Sequence, residues 1–145
     1  MSPPISMHRT VPMQHFKRCY SALKCSRAAV YLADATLLMH ANLEEPISIK
    51  GIAVELGISR RHLERLFRQA YRLTPSRYYC DMRLDEARVL LANSNHSIIQ
   101  VGLMTGFSSP SHFSSVFATR FSIPPKRYRN HVWTTSHGDE NACRK

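Results

Sequence analysis

The stretch Ser48-Ile49-Lys50-Gly51-Ile52-Ala53-Val54-Glu55-Leu56-Gly57-Ile58-Ser59-Arg60-Arg61-His62-Leu63-Glu64-Arg65-Leu66-Phe67, closing on Thr74-Pro75-Ser76-Arg77-Tyr78, decides the fold. Its pattern returns about 50 residues later as Ser97-Ile98, Val101-Gly102, Gly106, His112-Phe113, Phe117 and Pro124-Pro125-Lys126-Arg127-Tyr128. In each copy a serine able to cap a helix precedes a short apolar-periodic run. A glycine then supplies the left-handed residue that a tight turn needs, and a second periodic run follows. Each copy therefore reads as two short helices joined by a turn, the layout of a helix-turn-helix.

Working outward, residues 75–92 read as a long linking helix. Pro75 suits its first turn, and Tyr78, Tyr79, Met82, Leu84, Ala87, Leu90 and Leu91 form a broad apolar stripe. Asn93-Ser94-Asn95 breaks it. Upstream, Val30, Leu32, Leu37, Leu38, Ala41 and Leu43 predict a first helix from about Ala28 to before Pro46. A short last helix is expected after Pro124-Pro125. No strand pattern competes, so the fold class is all-α: two helix-turn-helix units, about 48–72 and 97–121, on a linking helix. Residues 1–27, with Pro3, Pro4 and Pro12, read as a flexible basic tail or linker remnant, 28–131 as the domain, and 132–145 as a second flexible tail.

The formal net charge of +10 favours a polyanionic partner. Half of that excess lies in the acid-free start, on Arg9, Lys17, Arg18, Lys24 and Arg27. Residues 28–129 carry 13 basic and 8 acidic side chains, a net of +5, so local placement must carry the argument. Cys19, Cys25, Cys80 and Cys143 form no C-x-x-C pair, which speaks against zinc, and Cys80 reads as a small buried hydrophobe. No run of 18 apolar residues exists. The expected setting is a reducing cytoplasm; the Arg- and Ser-containing start has only a faint transit-peptide character and no amphipathic stripe.

The second helix of a helix-turn-helix enters the DNA major groove, and its outward residues are the candidate readers. In the first unit these are Arg60, Arg61, Glu64, Arg65 and Arg68, with Arg72 at the end. Arg61 and Arg65, at i and i+4, are placed to grip guanine O6 and N7; Arg60 and Arg68 suit phosphates. For Glu64, acceptance from cytosine N4 and orientation of a neighbouring arginine both stay open. A merely solvated basic face is the bland alternative for the whole set. The second unit offers Ser108, Ser109, Ser111, His112, Ser114 and Ser115, with Arg120 far along, followed by Lys126, Arg127 and Arg129 for the backbone. Short hydroxyls discriminate bases poorly, so this unit is expected to position rather than read. His62 and His112 admit phosphate contact or local packing. Asp81, Asp85 and Glu86 beside Arg77, Arg83 and Arg88 are expected to form surface ion pairs.

From about Ala35 to Arg129 the sequence resembles the DNA-binding domain of AraC/XylS-type bacterial transcription regulators. The resemblance rests on Ser97-Ile98, Val101, Gly106-Phe107, Ser109, His112-Phe113, Phe117, Phe121, Pro125 and Tyr128-Arg129. The stretches 41–46 and 58–67 are similar to the branch that carries an amidotransferase-like (GlxA-type) sensing domain ahead of this one. The resemblance implies seven helices and base readers at Arg60, Arg61, Glu64 and Arg65, then at Ser109, Pro110, Ser111, Ser114 and Ser115. It also marks departures: Arg72 and Ser122 where glycine is frequent, Gly102 where alanine is usual, and Ser115 where a cation is common. The family's usual preceding effector or dimerisation domain has no counterpart in this stretch, which leaves a fragment of a longer regulator and a short member both open.

The expected function is sequence-specific recognition of double-stranded promoter DNA, with RNA polymerase as a further candidate partner. No membrane, cofactor or small-molecule effector site is expected. A protein-interaction module, or a truncated regulator fragment with weak or no DNA reading of its own, is the alternative, marked by salt-insensitive binding to a protein. An enzyme finds no support, since no nucleophile–base pair, metal cluster or phosphate loop stands in the sequence.

Overall fold

The structure, a computed structural model, describes residues 26–137, and all seven helices in it are α. They are α1 (Arg27–Ala41), α2 (Ile49–Glu55), α3 (Arg60–Tyr71), α4 (Pro75–Asn93), α5 (Ile98–Met104), α6 (Pro110–Phe121) and α7 (Pro125–His137). No strand occurs among the described residues. Local signals set the boundaries. Ser48, Ser59, Thr74, Ser97 and Ser109 each sit in extended backbone, with the side-chain oxygen accepting from an N–H of the first turn. At Ser97 the cap is reciprocal, with Gln100 Oε1 accepting from the Ser97 N–H at 2.8 Å. Gly57 and Gly106 end the first helix of each unit at φ +65° and +78°.

The repeat becomes two cores that share one helix. Ile52, Ala53, Leu63, Leu66 and Phe67 close against α1 on one side and against Tyr78 and Tyr79 of α4 on the other. Val101, Phe107, Phe113 and Phe117 close against Leu84, Ala87 and Leu91 of the same helix. So α4 ends the first unit and begins the second. Ring ladders match: Phe67, Tyr71 and Tyr78 stack in the first core as Phe117, Phe121 and Tyr128 do in the second, at centroid distances of 4.6–5.8 Å. The second turn is longer by one residue, Ser108, between Gly106-Phe107 and the capping Ser109.

Several expectations need correction. In α1 the buried stripe is Leu32, Ala35, Thr36 and Met39, while Val30 and Leu37 are 55% and 64% exposed. A helix dominated by apolar residues on several sides gives no unique stripe, and the packing partner chooses the face. The last helix runs to His137, beyond the boundary at 131 expected from composition. At the other end, Ser26 caps α1 and Arg27 opens it; the rest of the expected N-terminal tail, and residues after 137, lie outside the described residues. Arg72 and Ser122 hold φ of 59° and 60° as the C-caps of α3 and α6, in the left-handed region that favours glycine.

Gly102 of α5, at the position where alanine is usual in the resemblance, faces an aromatic ring. A Cβ there would lie 3.2 Å from Phe113 Cδ1 and 3.3 Å from Cγ. The first unit solves the same packing with the pair Ala53 and Leu63, both buried. Small against large in one unit thus replaces medium against medium in the other. Gly102→Ala gains roughly 1 kcal/mol of helix propensity but crowds the ring. The expected outcome is a coupled pair: Gly102→Ala/Phe113→Leu is more stable than the sum of the two single changes by at least about 0.5 kcal/mol. Urea unfolding of the four proteins measures this, and strict additivity would refute it.

Candidate nucleic-acid interface

Hydrophobic periodicity fixes which face of α3 is free. Leu63, Leu66 and Phe67 are drawn into the core, so Arg60, Arg61, Arg65 and Arg68 are left exposed on the far side. An open groove along that side is lined by Ser59, Arg61, His62, Glu64, Arg65 and Arg68, and continues over Gln69 and Arg72. Gln69 was not in the expected set, although it lies four residues after Arg65, one turn further along the same face. Beside the Glu64 carboxylate, its guanidinium groups and one amide are the donor types that match acceptor edges of bases and phosphates.

Within this face the side chains divide. Arg60 Nε donates to Glu64 Oε1 at 2.9 Å, an i, i+4 pair exposed to solvent. Of the two readings of Glu64, the structure displays the one in which it orients an arginine. Arg65 Nη2 lies 3.1 Å from His62 Nδ1, and the His62 ring stands edge-on to Tyr31 of α1 at 6.1 Å. His62 is therefore a packed post that steadies Arg65. Arg61 and Arg68 have no ion-pair partner among the described residues.

The second unit presents a different face. Ser111, His112 and Ser115 of α6 are exposed, and Ser114 is half-buried. Ser109 Oγ accepts from the His112 N–H at 3.3 Å, so its acceptor side already serves the helix start. The His112 ring packs toward Phe107 at 6.1 Å. Lys126 and Arg127 are exposed at the start of α7.

Two basic residues are diverted from this face. Arg120, the one cation in α6, turns inward: Nε lies 3.5 Å from Asp81 Oδ1 and Nη2 lies 3.7 Å from Asp85 Oδ2, with all three side chains no more than 20% exposed. Of the ion pairs expected on α4 beside Arg77, Arg83 and Arg88, the Arg77–Asp81 pair forms, and a cross-helix partner joins it. Arg77 joins Asp81 at 3.1 Å from its own helix, and the cross-helix partner is Arg120. The Arg83 and Arg88 guanidinium groups also lie over the Phe107 and Phe121 rings. Arg129, expected at the DNA backbone, turns its Nε to the Leu91 carbonyl at 3.4 Å. Arg120→Ala is expected to lower stability by about 1–3 kcal/mol, since it removes the cross-helix cation from two half-buried carboxylates, while base preference stays as in the parent. A thermal melt and a repeat of sequence selection check the two halves of this statement.

Elsewhere the chemistry is quiet. Burial pushes the Cys80 thiol pKa up, the direction of an inert packed cysteine. Among the described residues no three His, Cys, Asp or Glu side chains gather as metal ligands. No described helix is long and apolar enough to cross a membrane.

Two capped helix-turn-helix units on a shared helix, with a cationic groove along one second helix, define the class: a helix-turn-helix DNA-binding module. A family profile described as a helix-turn-helix domain matches residues 52–131. The HTH-type transcriptional regulator ArgR of Pseudomonas aeruginosa is 48% identical over 99 residues, 68% of this chain and 30% of its own. GbdR of the same species, another HTH-type transcriptional regulator, is 41% identical over 122 residues, 84% of this chain and 31% of its own. A transcriptional regulator with an AraC-type DNA-binding domain from Chromobacterium violaceum superposes with a TM-score of 0.68 at 48% identity, over 70% of this chain and 91% of that one. The DNA-binding domain of AdpA, solved with a target DNA, gives 0.66 at 26% identity, over 79% and 99%. The chain belongs to the AraC-type helix-turn-helix family of transcription regulators. It spans about a third of the length of the curated relatives ArgR and GbdR.

Proposed function

We propose that this chain is the DNA-reading module of a bacterial transcription regulator, laying α3 and α6 into neighbouring major-groove segments of a promoter. The carrying observation is the contrast between the two second helices. Arg61, Arg65 and Arg68 are exposed on α3 with no acidic partner, Arg65 resting only on His62, whereas the one cation of α6 is committed to Asp81 and Asp85. Direct base reading belongs to α3 in this assignment, through Arg61 and Arg65, with Arg60, Glu64 and Arg68 supporting at its edges. Ser109, Ser111, His112, Ser114 and Ser115, with Lys126 and Arg127, hold the second segment by phosphate and short-range contacts.

The geometry supports simultaneous engagement. The 19 residues of α4 span roughly 28 Å at 1.5 Å per residue. One turn of DNA separates successive major-groove faces by about 34 Å, so helices flanking this connector fit adjacent segments on one side of the duplex. AdpA, solved with its target DNA, shares the fold, which supports the same use here. In line with the relatives named as transcriptional regulators, RNA polymerase is the further partner of this reading, and the cytoplasm its setting.

Selection from random duplex DNA, followed by mobility-shift titration, tests the proposal. The expected result is an enriched sequence whose affinity falls linearly in log–log terms as salt rises, because phosphate contacts release counterions. Folded protein that retards no fragment at about 50 mM salt would overturn it.

A further inference from the structure

The two units touch one another directly as well as through α4. At the turn of the second unit, a Cβ on Gly106 would lie 2.4 Å from Pro46 Cγ and 2.6 Å from the Leu43 carbonyl oxygen, so this turn rests on the α1–α2 loop of the first unit. Arg83, midway along α4, donates from Nη1 to the Gly106 carbonyl at 3.1 Å. Its guanidinium lies 4.6 Å from the Phe107 ring centre and 5.4 Å from that of Tyr79. The Tyr79 hydroxyl in turn donates to the carbonyl of Asn42, the C-cap of α1. A continuous path thus runs from Asn42 through Tyr79 and Arg83 to Gly106 and back to Pro46.

The path matters because of where the cores grip the shared helix. The first holds Tyr78 and Tyr79, and the second holds Leu84, Ala87 and Leu91. A single helix sets the separation of two such grips but leaves each unit able to rock about it. A second connection beside the helix closes a ring and removes that freedom. Arg83 and Gly106 at its centre are half-buried and their bond is charge-assisted, while Tyr79 anchors the path in the first core.

We infer that the Tyr79–Arg83–Gly106 joint fixes the angle between the two units and thereby makes the protein select the spacing between its two DNA segments. The inference deepens the proposed DNA reading and rests on it. One inserted base pair moves the second segment by about 3.4 Å and turns it by about 35°. A jointed pair of recognition helices cannot follow, so the DNA must distort or one contact set is lost. Arg83 is in this sense a positioning residue that touches no base.

The test uses the full chain and the duplex it selects, alongside duplexes with one base pair inserted or removed between the two footprinted segments. Wild type is expected to lose at least about tenfold on either altered spacing. Arg83→Met keeps the apolar stem and removes the hydrogen bond and charge. It is expected to bind the selected duplex within about threefold of wild type while its spacing penalty shrinks to about threefold or less. Tyr79→Phe, which removes one hydroxyl, tests the same joint if Arg83→Met fails to fold. An undiminished penalty in a folded variant overturns the inference.

Residual dipolar couplings of the free protein give a reading independent of DNA. One alignment tensor should describe both units in wild type, and two should be needed in the variant; one tensor in both again overturns it. Absence of all DNA binding by wild type would remove the proposed function, while the couplings would still decide the joint.

Discussion

Gly106→Ala is expected to destabilise the protein by about 3 kcal/mol, whereas Gly57→Ala, at the matching turn of the first unit, loses about 1 kcal/mol or less. Both glycines hold positive φ, +78° and +65°, so both replacements carry a left-handed penalty of roughly 1 kcal/mol. Both also gain a little from a less flexible unfolded chain. The surroundings separate them. A Cβ on Gly57 meets nothing within 4 Å, but one on Gly106 overlaps Pro46 and the Leu43 carbonyl. A backbone oxygen cannot swing aside as a side-chain tip can, so the loop or the turn must move, which adds roughly 1–3 kcal/mol. Arg72 and Ser122 show that this chain accommodates side chains at φ near +60° where space allows. Urea denaturation of the two variants provides the measurement, and equal losses would contradict the close approach of the two units.

Arg61→Ala and Arg65→Ala are each expected to weaken binding to the selected duplex about tenfold or more, in the range of 1–3 kcal/mol for a bidentate guanine contact. Each should also flatten the preference at one base position. Arg65→Ala has the additional consequence of freeing His62, whose Nδ1 lies 3.1 Å from Nη2. Lys126→Ala should behave differently, lowering affinity for all sequences alike and reducing the salt slope by about 1. Repeated selection with each variant, with salt titrations alongside, distinguishes the two behaviours. A uniform loss from all three would end the division of labour between α3 and α6.

The sequence carried much of this architecture in its local signals. Serine and threonine caps, glycines at turns and Pro75 at a helix start act within a few residues, so their positions mark the helix ends within a residue or two. The strongly amphipathic α3 was legible for the same reason: Leu63, Leu66 and Phe67 define one side, and the arginines must take the other. The face of α1 was not legible, because Val30 and Leu37 are as apolar as the buried Leu32 and Met39. Nor was the reason for Gly102, because only the fold sets the Phe113 ring against it.

What the sequence by itself determined is the pair of capped helix-turn-helix units, the shared helix and a basic face on the first. Each follows from spacing along the chain, where helical geometry turns position into direction. What only the tertiary structure decided is which charged groups are available for a partner. Arg120 and Arg129 read as surface cations in one dimension, yet cross-helix packing brings them to Asp81, Asp85 and the Leu91 carbonyl. The same packing sets the turn at Gly106 against Pro46 and brings Arg83 to its carbonyl. Partners 23, 38 or 60 residues apart are chosen by how two cores meet on one helix, and no local spacing encodes that distance.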